Sequence, residues 1–329
     1  MIVRTREERQ VQKEWGGSIA IYLFLGGVGG GAYAFACIAT LLGQGWSHVI
    51  NSGLMLSFPV VIVGMLFLLS HLGSPMRAPL AMAKLGTSWI SRGVWILGIF
   101  IVLSLIHFAG QVTPADFVKA AEPGNPLPVL LSILGLVFSL FTMLYTGALL
   151  SGAKGVPLWQ TAVLPALFIV SGLFTGLCAV LVGMVVIDAS AIIAAQAQQL
   201  AGVGAVLIAI ELLLIMAFLN TAYRTRNAKE SAKLIVGSGA FIFGDLIVGL
   251  LVPLVIFMAI FFGMADASGS SIGTAAALAG ILGLIGGFLL RKAILSAGMA
   301  TSLDMAGFTF RPIANLDFEH SPIGKLPPQ

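Results

Sequence analysis

The run Leu54-Met-Leu-Ser-Phe-Pro-Val-Val-Ile-Val-Gly-Met-Leu-Phe-Leu-Leu-Ser-His-Leu72 goes 19 residues without an acid, lysine or arginine, then stops at Gly73-Ser-Pro-Met-Arg77. A bilayer core takes about 20 apolar residues of helix, so this run crosses a membrane once. A second run, Val94 to Gly110, follows it. Between the two lie Arg77, Lys84 and Arg92, three of the chain's 17 basic residues, with Trp89 among them and His71 at the entrance. Polar chemistry is most densely gathered in this connection.

Outward from that pair the pattern repeats. Six more runs appear, at Gly16–Leu42, Leu127–Ala153, Leu158–Ile187, Ala201–Tyr223, Leu234–Gly263 and Ile272–Leu290, each bounded by charge, Pro or a Gly/Ser/Asn cluster. The 329 residues are 58% hydrophobic and only 9% charged, against about 25% charged in soluble domains. So little charge cannot cover a surface in water. In lipid the backbone must satisfy itself, and runs of this length do so as helices. The expected fold is an all-α integral membrane protein of eight transmembrane helices, arranged as two four-helix bundles. Its parts would be an N-terminal segment at 1–15, the membrane domain at 16–295 and a tail at 296–329.

The basic residues sort by side. Arg4, Arg6, Arg9, Lys13, Arg77, Lys84, Arg92, Lys154, Arg224, Arg226, Lys229, Lys233, Arg291, Lys292, Arg311 and Lys325 share one side of an eight-helix topology, and Lys119 alone falls on the other. The positive-inside bias puts both termini in the cytoplasm, the chain being multi-pass in an inner membrane. The net charge of +4 is spread between apolar runs, not along one face, so no nucleic-acid partner is expected. The charged start, Met1 to Glu14, precedes a run too long for a signal peptide, and no cleaved signal is expected. Cys37 and Cys178 sit in separate apolar runs and read as core. Thr113-Pro-Ala-Asp116 has the form of a helix start, and a short surface helix is expected there. The proline-bearing tail is expected to be extended.

Gly27-Val-Gly-Gly-Gly31 and Gly172-Leu-Phe-Thr-Gly176 both place small residues four apart, 145 positions from each other. Such spacing lets helices approach closely. Two similar halves would produce it, and so would chance among glycine-rich helices.

Few side chains offer chemistry. The four histidines, His48, His71, His107 and His320, give no pair at one depth for a haem, and neither haem, iron–sulfur cluster nor other metal is expected in this chain. Glu211 and Asp245 fall inside hydrocarbon, roughly ten residues from their run ends. Such acids are costly. They serve either a proton path or a protonated hydrogen bond to a neighbouring helix. Tyr145, followed by Thr146 and Gly147, and Tyr22 lie at the same side of the membrane. A phenol there can bond a quinone carbonyl, or simply anchor the interface.

The segments Trp15…Tyr22-Leu-Phe-Leu-Gly-Gly-Val-Gly-Gly-Gly-Ala-Tyr33, His71-Leu-Gly-Ser-Pro-Met-Arg77, Thr87-Ser-Trp-Ile-Ser-Arg-Gly93 and Ser171-Gly-Leu-Phe-Thr-Gly176 resemble the NrfD/polysulfide-reductase membrane subunits over essentially all eight helices. Ser74 stands where that family often has Arg. The resemblance implies a haem-free anchor that reacts with a quinone, menaquinone or ubiquinone, and is not by itself catalytic for the terminal substrate. It implies a docked four-cluster ferredoxin-like iron–sulfur subunit and a molybdopterin catalytic subunit beyond it. Tyr145 matches the family's quinone-contacting tyrosine by position. The Asn or His that family members offer early in the first helix has no counterpart between Gly16 and Leu42, which leaves Tyr22. His71 would donate or accept a proton, while Arg77, Trp89 and Arg92 would position the loop or the partner. Several relatives dock partners on the outer side, whereas the charge count places this chain's loop on the inner side.

The rival reading is a secondary transporter that uses Glu211 and Asp245 for proton coupling. The orientation is checked by cysteine labelling from outside the cell. Cysteines replacing Leu80 and Glu230 should stay unlabelled and one replacing Ala120 should react; external labelling at 80 would invert the topology.

Overall fold

The computed structural model describes residues 10–11, 16–43, 45–70, 89–112, 126–153, 155–187, 191–225, 228–263, 269–300, 303–305 and 308–310. Among them are eight helices long and apolar enough to cross a membrane. We number the helices α1 (Gly17–Leu42), α2 (Ser47–Ser70), α3 (Trp89–Val112), α4 (Pro126–Ser151), α5 (Val163–Ile187), α6 (Ala191–Arg224), α7 (Lys229–Gly237), α8 (Ala240–Phe261) and α9 (Gly269–Ser296). All but α7 are spans, and the protein is a multi-pass membrane protein. Their outward faces carry exposed Leu66, Val102, Met216 and Val255, the side chains that lipid would cover.

Four spans make each half. In the first, α1 packs on α2 and α4, and α3 closes the bundle between α2 and α4; in the second, α5 packs on α6 and α9, and α8 closes between α6 and α9. The halves meet chiefly through α1 and α5. These two are the most buried spans, 78% and 61% of their apolar windows against 33% for α2, α3, α6 and α8. Glycine is what lets them meet. A Cβ at Gly31 would fall on the carbonyl oxygen of Gly172 and lie 2.9 Å from the Cα of Gly176. One at Gly27 would lie 3.4 Å from the Cα of Gly172.

The 145-residue offset extends beyond these glycines to the packing as a whole. Gly135 of α4 leaves room for Tyr33 and Cys37 of α1; 145 positions on, Gly280 of α9 leaves room for Cys178 and Val182 of α5. Gly26 faces Thr146, and their counterparts Ser171 and Arg291 are hydrogen-bonded. The molecule is therefore two copies of one four-helix frame, inserted in the same direction.

Some boundaries differ from those read in the runs. The seventh run breaks at Ser238: α7 ends at Gly237, and α8 begins at Ala240 with π-type winding through Leu251. Pro253 follows at once. It has no N–H and its ring crowds the carbonyl four residues back, which disfavours a tight α-turn there. α6 begins ten residues before the apolar run, and α9 runs six residues past it, to Ser296. Thr113–Asp116 lies outside the described residues, as does the chain beyond Phe310.

Short strands tie the ends together. β1 (Gln10–Val11) pairs antiparallel with β2 (Met299–Ala300), so both chain ends leave the spans on one face; β3 (Leu303–Met305) and β4 (Phe308–Phe310) form a hairpin. The prolines on which the expectation of an extended tail rests, Pro312, Pro322, Pro327 and Pro328, lie outside the described residues.

The α1–α5 contact is tested with Gly31→Ala, whose methyl must displace backbone. Overpacking of this kind costs about 1–3 kcal/mol, so the melting temperature in detergent should fall. Gly98→Ala is the control, because no atom lies within 4 Å of a Cβ placed there; it should leave the melting temperature unchanged or raise it.

Candidate functional site

Two polar sites open from the fold, one in each half. The first lies at the face that carries the chain ends, where α1 begins, α3 begins and α4 ends. Tyr22, five residues into α1, and Tyr145, six before the end of α4, are both buried. Their phenols are neighbours. Among the described residues the Tyr22 hydroxyl nevertheless has no hydrogen-bond partner of normal geometry. A buried hydroxyl without a partner costs about 1–3 kcal/mol, so it is a group waiting for an acceptor or donor.

The neighbourhood is shaped for the Tyr145 ring. Gly93 of α3 lies flat against it, and a Cβ at that position would fall on the ring and its oxygen. Thr146 turns its hydroxyl back to the Met143 carbonyl at 2.6 Å, so it does not compete for the phenols. Arg92, next to Gly93, is exposed, and Trp89 opens α3. The structure thus gathers Tyr22, Tyr145 and the start of α3. His71 and Arg77 lie outside the described residues, as does the side chain of Trp89.

The second site is ionic and buried. Glu211 of α6, Asp245 in the π-wound part of α8 and Arg291 of α9 occupy one neighbourhood, each at most 1% exposed. Arg291 Nη1 donates to Ser171 Oγ at 3.1 Å and to the Gly287 carbonyl at 2.8 Å. Among the described residues its Nε and second Nη have no hydrogen-bond partner, and neither do the four carboxylate oxygens of Glu211 and Asp245. The guanidinium carbon sits 5.4 Å from the ring centre of Phe168 and 5.8 Å from that of Phe24, within cation–π range. A Cβ at Gly27 would lie 2.6 Å from Arg291 Nη2, so the side chain spans the junction of α1, α5 and α9. Glu211 lies near the middle of α6, 13 residues before its end, whereas Asp245 is only five residues into α8.

Arg291 corrects the sequence reading. The apolar run stops at Leu290, which groups Arg291 with the surface cations, but α9 continues to Ser296 and takes it inside. Fifteen cations then stand against one, and the asymmetry survives. The available signal is its match, at the 145-residue offset, to Thr146 in the middle of a helical turn. Gly93 and Ser171 fall inside the quoted motifs, where sequence alone gives them no role. Toward the opposite face, buried His107 meets Tyr33 at 3.5 Å, and Gln111 bonds Asn51 at 3.1 Å.

Removing the cation should leave two acids facing each other in a low dielectric. Breaking such a buried arrangement from one side costs about 3–5 kcal/mol. Arg291→Gln should therefore lower the melting temperature clearly, and adding Glu211→Gln should recover part of the loss. Simple additivity of the two losses would mean that the groups do not interact.

Comparison with known proteins places the protein in a family. The family model described as "Polysulphide reductase, NrfD" matches residues 6–303. The C subunit of polysulfide reductase from Wolinella succinogenes is 28% identical over 303 residues, covering 86% of this sequence and 94% of that protein. The NrfD homolog of Haemophilus influenzae is 28% identical over 315 residues, 87% of this sequence and 95% of that one. Protein NrfD of Escherichia coli (strain K12) is 29% identical over 191 residues, 52% of this sequence and 60% of its own length. With a match that spans nearly every helix of the two bundles, the chain belongs to the polysulphide reductase NrfD family.

Proposed function

We propose that this protein is the membrane subunit of a respiratory oxidoreductase, exchanging electrons between the quinone pool and a docked iron–sulfur subunit. The observation that carries the reading is the pair of buried phenols, Tyr22 and Tyr145, the first with no hydrogen-bond partner among the described residues, at a membrane face. Membership of the NrfD family supports it, as does the naming of one relative for polysulfide reductase.

Quinone is a substrate here, menaquinone or ubiquinone. Its reduction takes up two electrons and two protons, and its oxidation returns them. Electrons come from or go to a four-cluster ferredoxin-like subunit, with a molybdopterin subunit beyond. Tyr22 and Tyr145 orient the head group by hydrogen bonds to a carbonyl oxygen, and a phenol that donates a bond can pass its proton along it. His71 relays protons to water, and Arg77, Trp89 and Arg92 hold the loop or the partner's carboxylates. The subunit lies in the inner membrane with both termini in the cytoplasm, so the partner docks there.

Glu211 and Asp245 form a proton path in the second half. Two acids beside one guanidinium are neutral when the cluster holds one proton and carry a single net negative charge when that proton leaves, so the guanidinium limits the buried charge to one in either state. The same cluster is what a transporter would need. Yet transporters built on inverted repeats pivot about an axis in the membrane plane, and these halves run in the same direction.

Tyr145→Phe removes one hydroxyl and little volume. A single hydrogen bond contributes about 0.5–1.5 kcal/mol, and proton donation adds to that. Quinone-linked turnover of the assembled complex should fall several-fold while reduction of an artificial dye by the partner subunits holds. Unchanged quinone turnover would take Tyr145 out of the site and leave it as an interfacial anchor.

A further inference from the structure

At the face of the chain ends, a cavity of about 360 Å³ lies between the C-terminal part of α7, the start of α8 and the last turns of α9, lined by Leu234, Ile235, Ser238, Leu289, Lys292 and Ala293 among others. The 145-residue offset carries Gly93 to Ser238 and Gly147 to Lys292; in the first half Gly147 packs against Pro165 and Phe168 of α5, whereas Lys292 borders the cavity.

Its lining has the layout of a lipid rather than of a water-filled pocket. The walls are mostly aliphatic, and the polar groups are the hydroxyls of Ser238 and Ser296 and the ammonium of Lys292, which is exposed. Beside it α7 lies as an amphipathic helix: Lys229, Lys233 and Glu230 are exposed on it, while Ser231, Ala232 and Ile235 are buried. Lys233 is already paired with Glu230 at 3.1 Å. Lys292 makes no ion pair among the described residues. A cation at the end of a membrane-spanning helix, over an aliphatic cleft, matches an anionic head group with an acyl chain beneath it.

We propose that this cavity binds one anionic phospholipid, its phosphate on Lys292 and Ser238 and the start of an acyl chain in the cleft between α7 and the last turns of α9. The site lies outside the Tyr22/Tyr145 pair and the buried ionic cluster, and it does not depend on the electron-transfer reading. The charge selects anionic over zwitterionic lipid, and the aliphatic walls hold the chain.

The test is native mass spectrometry of the full-length protein, stripped of lipid in detergent and titrated with dioleoyl phosphatidylglycerol or dioleoyl phosphatidylcholine. One phosphatidylglycerol should be retained, with phosphatidylcholine held about fivefold more weakly, the share one surface lysine contributes. Lys292→Gln should bring phosphatidylglycerol down to the level of phosphatidylcholine, Lys292→Arg should preserve the preference, and Ala293→Leu, which fills the cleft, should weaken both lipids. Equal retention of the two lipids by the unaltered protein would overturn the proposal, as would a Lys292→Gln protein that keeps the preference. Menaquinone that displaces the bound phosphatidylglycerol would overturn it too, and would assign the cavity to quinone.

Discussion

Everything in this molecule hangs on the backbone contact between α1 and α5. Two apolar helices gain little by leaving lipid for each other, so association must come from close packing. Gly31 against Gly172 and Gly176 brings the two backbones into direct contact at the centre of the protein. From that seam each half builds outward, α2 and α4 on one central helix, α6 and α9 on the other. It also sets where the side chains of both sites begin: Tyr22 and Phe24 lie on α1 below the glycines, and Ser171 immediately precedes Gly172 on α5.

The same frame, occupied twice, holds different chemistry each time. In the first half, the turn near the end of α4 presents Tyr145 and Thr146, with Gly26 opposite; in the second, the matching turn of α9 presents Leu290 and Arg291, with Ser171 opposite. A phenol pair at a membrane face suits hydrogen bonding to a carbonyl, and a buried guanidinium between two acids suits holding a proton. Arg291 reaches across to Phe24 and Gly27 of the first half, so the ionic cluster also braces the seam between the halves.

Much of this is legible in the sequence. Lipid enforces long uninterrupted helices, so eight spans can be read from apolar runs, and the glycine pairs can be matched at their offset. What stays hidden depends on helix ends and on three-dimensional meeting points. Arg291 sits next to Lys292 and looks like a flanking charge; only the extra turns of α9 turn it inward. The break at Ser238 is concealed because Leu234 to Gly263 is apolar on both sides of it. Tyr22 and Tyr145 are 123 residues apart, and nothing in local pattern says that their rings adjoin. Gly93 gives no signal of its own; its missing side chain matters only because a ring from another helix fills the space.

The doubled frame also speaks to descent. Each half has an even number of spans, so a single copy would begin and end on one face, and a second copy would insert the same way. Two such copies joined along their first helices, glycine to glycine, form a homodimer with its axis normal to the membrane. To fuse them, a linker need only run from the end of α4 at Ser151 to the start of α5 at Val163, without crossing the bilayer. A homodimer must change both interfaces at every mutation. A tandem duplicate is released from that rule, and its two copies are free to hold different side chains at the matching turn, Tyr145 and Thr146 in one and Leu290 and Arg291 in the other.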